Sequence, residues 1–295
     1  MADQPFPAPA SMNSAASPAA PAPSFPKRGV PVFGGINRLG LWTLYMKEVR
    51  RFFKVQTQTI WAPAMTTLLY LMIFTVAMGR GGRMVLGVPF ASFIAPGLIV
   101  MGMVSNSFAN TSFNFLAGKI QGTIVDYLMP PLSNAELMIG LIGAAVTRAV
   151  LVGLAIALAM LLWPGVSITI AHPWAIVWFG VMGSTLLAII GLITSLWADK
   201  FDQAAMVTNF VITPMTMLSG TFYVISSLSP PFQMVSRINP IFYIISGFRF
   251  GFLEQSDIGA SNAAVFNGAL YLGLLTLVTG WVLYALLRSG WKLKS

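Results

Sequence analysis

The chain has 295 residues, of which 56% are hydrophobic and 8% charged, where a soluble globular chain carries about 25% charged residues. Such an inventory cannot cover a water-facing surface, so an ordinary pair of soluble domains is excluded. Seventeen Lys and Arg against eight Asp and Glu give a formal net charge of +9. These charges flank apolar blocks, as membrane topology signals do, which argues for lipid and against nucleic acid as the partner of the basic groups. With no Cys and a single His, His172, disulfides, thiol nucleophiles and Cys/His zinc sites are excluded, and no metal centre is expected.

Residues 1–26 hold seven Pro and eight Ala, too few large apolar side chains to order themselves. A disordered Pro/Ala-rich tail is therefore expected over about 1–35, ahead of a membrane domain over 36–295. The tail lacks the basic cluster and apolar core of a signal peptide, so the mature protein is expected to keep it.

Val55 to Gly79 is a run of 25 residues without Asp, Glu, Lys or Arg, and about 20 residues suffice to cross about 30 Å of hydrocarbon. Further charge-free blocks run over 84–118, 149–198, 203–236 and 258–287. The block over 149–198 is too long for one span and breaks near Pro164, Gly165, His172 and Pro173. Six spans result, at about 57–79, 91–115, 137–163, 174–197, 204–226 and 265–287. With the N-terminus inside, twelve Lys and Arg fall in cytoplasmic segments and four (Arg80, Arg83, Arg237, Arg249) outside, which places both termini in the cytoplasm.

Before the first span, Leu39, Trp42, Met46, Val49 and Phe53 recur at helical spacing among Arg38, Lys47, Arg50, Arg51 and Lys54. This is an amphipathic interface helix, either a lipid anchor or a lever moved by a cytoplasmic partner. Between spans two and three, Ser133 and Glu136 form a capping-box pattern that starts the third helix. Pro130 and Pro131 isolate a helix-sized piece from about Gly122 to Met129, a surface loop or a docking turn, in which Asp126 stands beside apolar residues. Arg148 falls near the middle of the third span and must face protein or water. Asn106, Asn110 and Asn114 form a stripe on the second span that is a candidate neighbour, and Asn209, Thr213 and Thr216 form another on the fifth. Each stripe fits interhelical hydrogen bonding or the lining of a pathway. Leu218 to Phe252 combines turn residues with aromatics that include Phe222, Tyr223, Phe232, Phe242, Tyr243 and Phe248, which suits short helices dipping into the outer leaflet as a packed cap or an exit gate.

No G-x-x-x-x-G-K-[ST] is present, so this chain does not cradle nucleotide phosphates through a P-loop. No acid lies inside any predicted span, which weighs against a proton-coupled carrier. Asp199 and Asp202 fall on one side and Glu254 and Asp257 on the other, so no catalytic dyad and no catalytic residue is expected. His172, at a helix start, reads as a capping or interfacial group. A secondary transporter, or a membrane-embedded enzyme or scaffold, stands as the alternative.

The stretch TPMTMLSGTFYVISSLSPPFQMVSRINPIFYIISGFRF, Thr213 to Phe250, resembles the permease subunits of ABC-2 type ATP-binding-cassette exporters, through Ser219-Gly220-Thr221-Phe222, Ser229-Pro230-Pro231, Asn239-Pro240 and Arg249. KEVRRFFK (Lys47 to Lys54), PFASFIAPGL (Pro89 to Leu98) and the 122–133 loop support it. The resemblance implies an all-α membrane protein with six transmembrane helices, the N-terminal interface helix and short external re-entrant helices between spans five and six. It implies a homodimer in a bacterial inner membrane, with ATP and Mg held by a separate cytoplasmic ATPase subunit and no cofactor in this chain. Glu48, Arg50, Arg51, Gly122, Asp126, Pro130 and Pro131 would couple to that ATPase. Asn106, Asn110, Asn209 and Thr213 would line the pathway, and Asn239, Pro240 and Arg249 would belong to the external gate. Typical cargoes are drugs, lipid-linked polysaccharides and other amphipathic molecules.

Overall fold

The computed structural model describes residues 35–78, 84–163, 166, 169–254, 257–258 and 261–292. Residues 1–34 of the expected tail, Arg80 and Arg83, and the break at Pro164 and Gly165 lie outside them. The described chain is almost entirely helical, apart from a hairpin that pairs β1 (Met84–Val85) with β2 (Val88–Pro89).

The interface helix is α1 (Arg38–Lys54), started by Asn37, whose side chain accepts a hydrogen bond from the Gly40 N–H. The first span consists of a π-helical turn (Thr57–Trp61) running into α2 (Ala62–Met78). Then follow α3 (Phe90–Ile120), the one-turn α4 (Val125–Leu128), α5 (Asn134–Leu161) and α6 (Pro173–Trp197). The box predicted at Ser133 and Glu136 is formed in both directions and opens α5. His172 holds the N-cap position of α6, but its ring stacks on Phe250 with centroids 4.6 Å apart instead of capping.

The segment expected as the fifth span is built differently from the others. α7 (Phe201–Val207), a π-helical turn (Thr208–Ile212) and α8 (Thr213–Met217) follow one another, and the run ends in the turn at Leu218–Gly220. Both π turns stop two residues before a proline, Pro63 and Pro214. Proline removes the N–H its turn needs and crowds the carbonyl four residues back, and widening that turn by one residue relieves the crowding. The chain continues through a 3-10 turn (Ile225–Ser227), α9 (Pro230–Ile238) and α10 (Pro240–Leu253) to α11 (Asn262–Ser289). Among the described residues, five helices are long and apolar enough to cross a membrane: Thr57–Ala77, Phe90–Ile120, Asn134–Leu161, Pro173–Trp197 and Asn262–Ser289.

α3 and α6 form the centre. The most apolar stretch of α3 is 83% buried, against 22% in the first span and 28% in α11, which stand at the periphery. Lipid is as apolar as leucine, so helices in it associate through close packing more than through a hydrophobic drive. Gly191 of α6 provides that closeness: a Cβ there would stand 2.6 Å from the Phe108 carbonyl oxygen of α3. Phe93, Phe108, Ile156, Phe179, Ile244 and Leu272 fill the main core with almost no exposure. At the α1 end of the bundle, Leu44, Phe115, Tyr127, Leu141 and Leu192 form a second cluster.

Candidate functional site

α1 presents three faces. Leu44, Glu48 and Phe52 are buried against the bundle, with α1 packing chiefly on α5. The apolar stripe read from the sequence is the outward one: Leu39, Trp42 and Phe53 are exposed, as an interfacial helix requires. Lys47, Arg50 and Lys54 are exposed on a basic strip, and the Lys47 ammonium lies 4.2 Å from the centroid of the Tyr127 ring of α4.

Tyr127 is where α1 and the 122–131 loop are joined. Its hydroxyl donates to Glu48 Oε1 at 2.8 Å and accepts from Arg51 Nη1 at 3.2 Å, while Arg51 Nη2 pairs with Glu48 Oε2. Burial pushes the Tyr127 phenol up to about 12, with the Glu48 carboxylate adding to the shift, so the hydroxyl keeps its proton as a donor. Glu48 therefore differs from its expected role as a partner-facing residue: at 3% exposure it is spent on this internal clamp. Arg51 is half-buried in the same clamp, whereas Arg50, Gly122, Asp126, Pro130 and Pro131 are exposed. Gly122 makes the turn into α4 with φ +72°, and Val125, Leu128 and Met129 project outward beside Asp126. A second tie was not foreseen: the Asn37 N–H donates to Glu136 Oε1, and Asn37 Nδ2 donates to the Pro131 carbonyl at 3.3 Å. Glu136, the acidic partner in the α5 capping box, thus also holds the start of α1.

Within the bundle, Arg148 of α5 reaches the asparagine stripe of α3. Its Nη1 donates to Asn110 Oδ1 at 3.1 Å and its Nη2 to Asn106 Oδ1 at 3.3 Å, while Asn114 Nδ2 donates to Asn110 Oδ1 at 2.6 Å. Asn106 also lines a cavity of about 350 Å³ between the first span and α3, together with Gln58, Thr66, Thr67, Tyr70 and Leu98. Asn209 and Thr213 do not join this group: both are exposed, and the Thr213 hydroxyl donates to the Thr208 carbonyl at 3.0 Å across the π turn.

At the opposite end of the bundle the motif residues converge. Asn239 Nδ2 donates to the Met215 carbonyl at 2.6 Å and to Ser219 Oγ at 3.1 Å, while its Oδ1 caps α10 at Ile241. Pro240 occupies the first turn of α10, where its missing N–H costs nothing. Arg249, with no exposure, donates from Nη2 to the Gly220 carbonyl at 2.8 Å and the Thr221 carbonyl at 3.3 Å. Its Nη1 pairs with Asp257 at 3.1 Å, and the guanidinium lies 3.9 Å from the Phe93 ring centroid. Sequence reading assigned Asp257 only to a side; that it pairs with Arg249 depends on how the loop folds back. Among the described residues no three His, Cys, Asp or Glu gather as metal ligands.

The family model of the ABC-2 type transporter matches residues 40–253, from α1 to the end of α10. The inner membrane transport permease YadH of Escherichia coli strain K12 is 32% identical over 221 residues, covering 75% of this chain and 85% of that protein. Nodulation protein J of Neorhizobium galegae is 27% identical over 207 residues, covering 67% of this chain and 74% of that protein. The matched region holds the α1 clamp, the Arg148 group and the Arg249 anchor together, and the chain belongs to the ABC-2 type transporter family as a multi-pass membrane permease.

Proposed function

We propose that this chain is the permease subunit of an ATP-driven exporter. It crosses a bacterial inner membrane six times with both termini in the cytoplasm, pairs with a second copy, and works with separate cytoplasmic subunits that bind ATP and Mg. The observation that carries the reading is the platform at the α1 end. The clamp of Glu48, Tyr127 and Arg51 fixes α1 to the loop, and the same surface leaves Asp126, Arg50, Val125, Leu128 and Met129 outward for a soluble partner. A partner that closes on ATP would push both elements as one body, and α5, joined to them through Glu136, would carry the motion into the membrane. In this reading Phe201–Met217 makes the fifth of the six crossings; its helical pieces of seven, five and five residues extend about 25 Å, and the 218–253 segment completes the passage as an external gate held by Asn239, Pro240 and Arg249. Asn106, Asn110, Asn209 and Thr213 line the path of an amphipathic, drug-like or lipid-linked cargo.

The test is to purify the tagged chain from its native membrane in mild detergent, identify the chains that accompany it, and assay ATP hydrolysis. Recovery of a P-loop ATPase with vanadate-sensitive turnover is expected. A permease recovered alone and inactive from several detergents would overturn the reading and favour a secondary carrier. Asp126→Lys combined with Arg50→Glu reverses two exposed charges without touching the clamp and is expected to reduce ATPase recovery at least tenfold; full recovery would remove the docking assignment.

A further inference from the structure

Among the described residues, Arg148 of α5 has no counter-ion. Every carboxylate described by the structure is committed elsewhere or remote: Glu48 to Arg51, Asp199 to Lys119 and Lys292, Asp257 to Arg249, and Glu136 to the α5 cap, while Asp126, Asp202 and Glu254 are exposed outside the long helices. Arg148 therefore rests on two neutral amide oxygens at 3.1 and 3.3 Å, at the long end of the hydrogen-bond range, and its Nε is buried with no partner among the described residues. A cation in hydrocarbon is costly, and neutral acceptors compensate it less well than an anion does. If its role were only to join α5 to α3, an uncharged donor would serve at a lower desolvation cost.

The second observation is what lies beside it. Asn106, which accepts the longer of the two bonds, is also a wall of the cavity of about 350 Å³ between the first span and α3. Gln58, Thr66, Thr67 and Tyr70 give that cavity hydroxyl and amide groups, and Leu98, Met101 and Ala62 give it an apolar wall. Its volume suits a small ligand or the head of a larger one. An anion entering there is separated from an undercompensated guanidinium by the Asn106 side chain, whose Nδ2 donates to the Gly102 carbonyl at 3.0 Å and whose Oδ1 holds Arg148 only by the long 3.3 Å bond; the planar fork of the guanidinium matches phosphate and carboxylate.

We propose that Arg148, screened by Asn106, is the charge-selecting group of this cavity and that it seats the anionic headgroup, phosphate or carboxylate, of an amphipathic molecule whose apolar body lies along α2 and α3. The inference rests on the reading of the chain as a transport permease and names the class of its cargo. The same seat would hold an anionic bilayer lipid, and the experiment separates the two sources.

The purified full-length chain is placed in nanodiscs of wholly zwitterionic lipid, without ATP. Binding of two single-chain fluorescent amphipaths, identical except for a phosphate or a hydroxyl headgroup, is measured. The phosphate probe is expected to bind at least about tenfold more tightly, one charge-assisted hydrogen-bond pair being worth about 1.4 kcal/mol or more. Arg148→Gln is expected to erase the difference. Asn106→Asp covers the case in which loss of Arg148 unfolds the bundle: it gives the guanidinium an internal carboxylate in exchange for the Asn106 Nδ2 bond to the Gly102 carbonyl at 3.0 Å, and the expected result is a folded protein without the preference. Equal affinity for the two probes in the native chain would overturn the proposal, as would a preference that survives in Asn106→Asp. Nanodiscs containing one-third anionic lipid identify the source: displacement of the phosphate probe marks a resident lipid, and retention marks a cargo, both on the same seat. Because no nucleotide is involved, a lost preference leaves the ATPase recovery above unaffected, and a missing ATPase leaves this binding result standing.

Discussion

Two side chains, Tyr127 and Arg249, make the structure's most consequential single commitments. Tyr127→Phe keeps the ring, and so its packing on Phe115 (centroids 5.9 Å apart) and under Lys47, but deprives buried Glu48 Oε1 of its donor. An unsatisfied buried acceptor costs about 1–3 kcal/mol. The expected result is faster protease cleavage of the 122–131 loop and, under the proposed function, ATP hydrolysis no longer linked to transport, with the bundle otherwise folded. Arg249→Gln removes one partner of a pair in which neither side chain exceeds 2% exposure. Breaking such a pair leaves the other charge buried, at about 3–5 kcal/mol, so a large fall in the detergent melting temperature is expected. Asp257→Asn should fall short of that loss, because Arg249 keeps the Gly220 and Thr221 carbonyls; equal melting of Arg249→Gln and the native protein would refute the anchor.

Among the elements, the two proline-led π turns stand out because each occurs in an outlying helical run. The π turn at Thr208–Ile212 turns the faces before and after it out of the register of a regular helix. Pro214→Ala restores the missing N–H and is expected to let the turn close to an α-helix. That rotates one part of the run against the other by about 100°, the angle of the one extra residue the wide turn accommodates. A spin-label accessibility scan over 208–213, straightforward in a chain with no native Cys, should then shift by one residue; an unchanged pattern would show that packing, not Pro214, holds the bulge. α1 illustrates the same limit on reading an element by itself. The stripe of Leu39, Trp42 and Phe53 was legible from its spacing, but Glu48 was not separable from the exposed charges around it, because only the approach of Tyr127 from α4 buries it.

For the whole molecule, three helix ends are tied at the α1 end through one carboxylate. Asp199, after α6, accepts from Lys119 at the end of α3 at 3.1 Å and from Lys292 beyond α11 at 3.0 Å. Lys119 also donates to the Leu196 and Ala198 carbonyls at 3.0 and 2.9 Å, satisfying orphan groups at the end of α6. The hydrogen bonds from Lys292 and Lys119 hold the Asp199 carboxyl below its usual value. A lowered folded value stabilises above the unfolded carboxylate pKa of about 3.9 and is lost as pH falls through the folded one. Asp199→Asn should therefore melt lower than the native chain at neutral pH, with the gap narrowing only below about pH 4; a gap that is constant with pH would sink this assignment.

The sequence alone determined the solvent and the elements. Charge-free runs must be helices in lipid, because no other local structure satisfies the backbone there, and Ser133 with Glu136 declares its own helix start within four residues. The turn residues around Gly220 and Asn239, and the pairing of Arg148 with the α3 stripe, were readable to the same extent, since an intramembrane cation must find polar neighbours and α3 offered a row of them. Only the tertiary structure decided which polar groups are inward and which outward. It buried Glu48, left Asn209 and Thr213 exposed, joined Arg249 to Asp257, and placed Asn106 between a cation and a cavity. Each of these depends on a contact between residues distant along the chain or on how a whole helix is turned, and periodicity fixes a stripe along a helix without fixing the neighbour that stripe will meet.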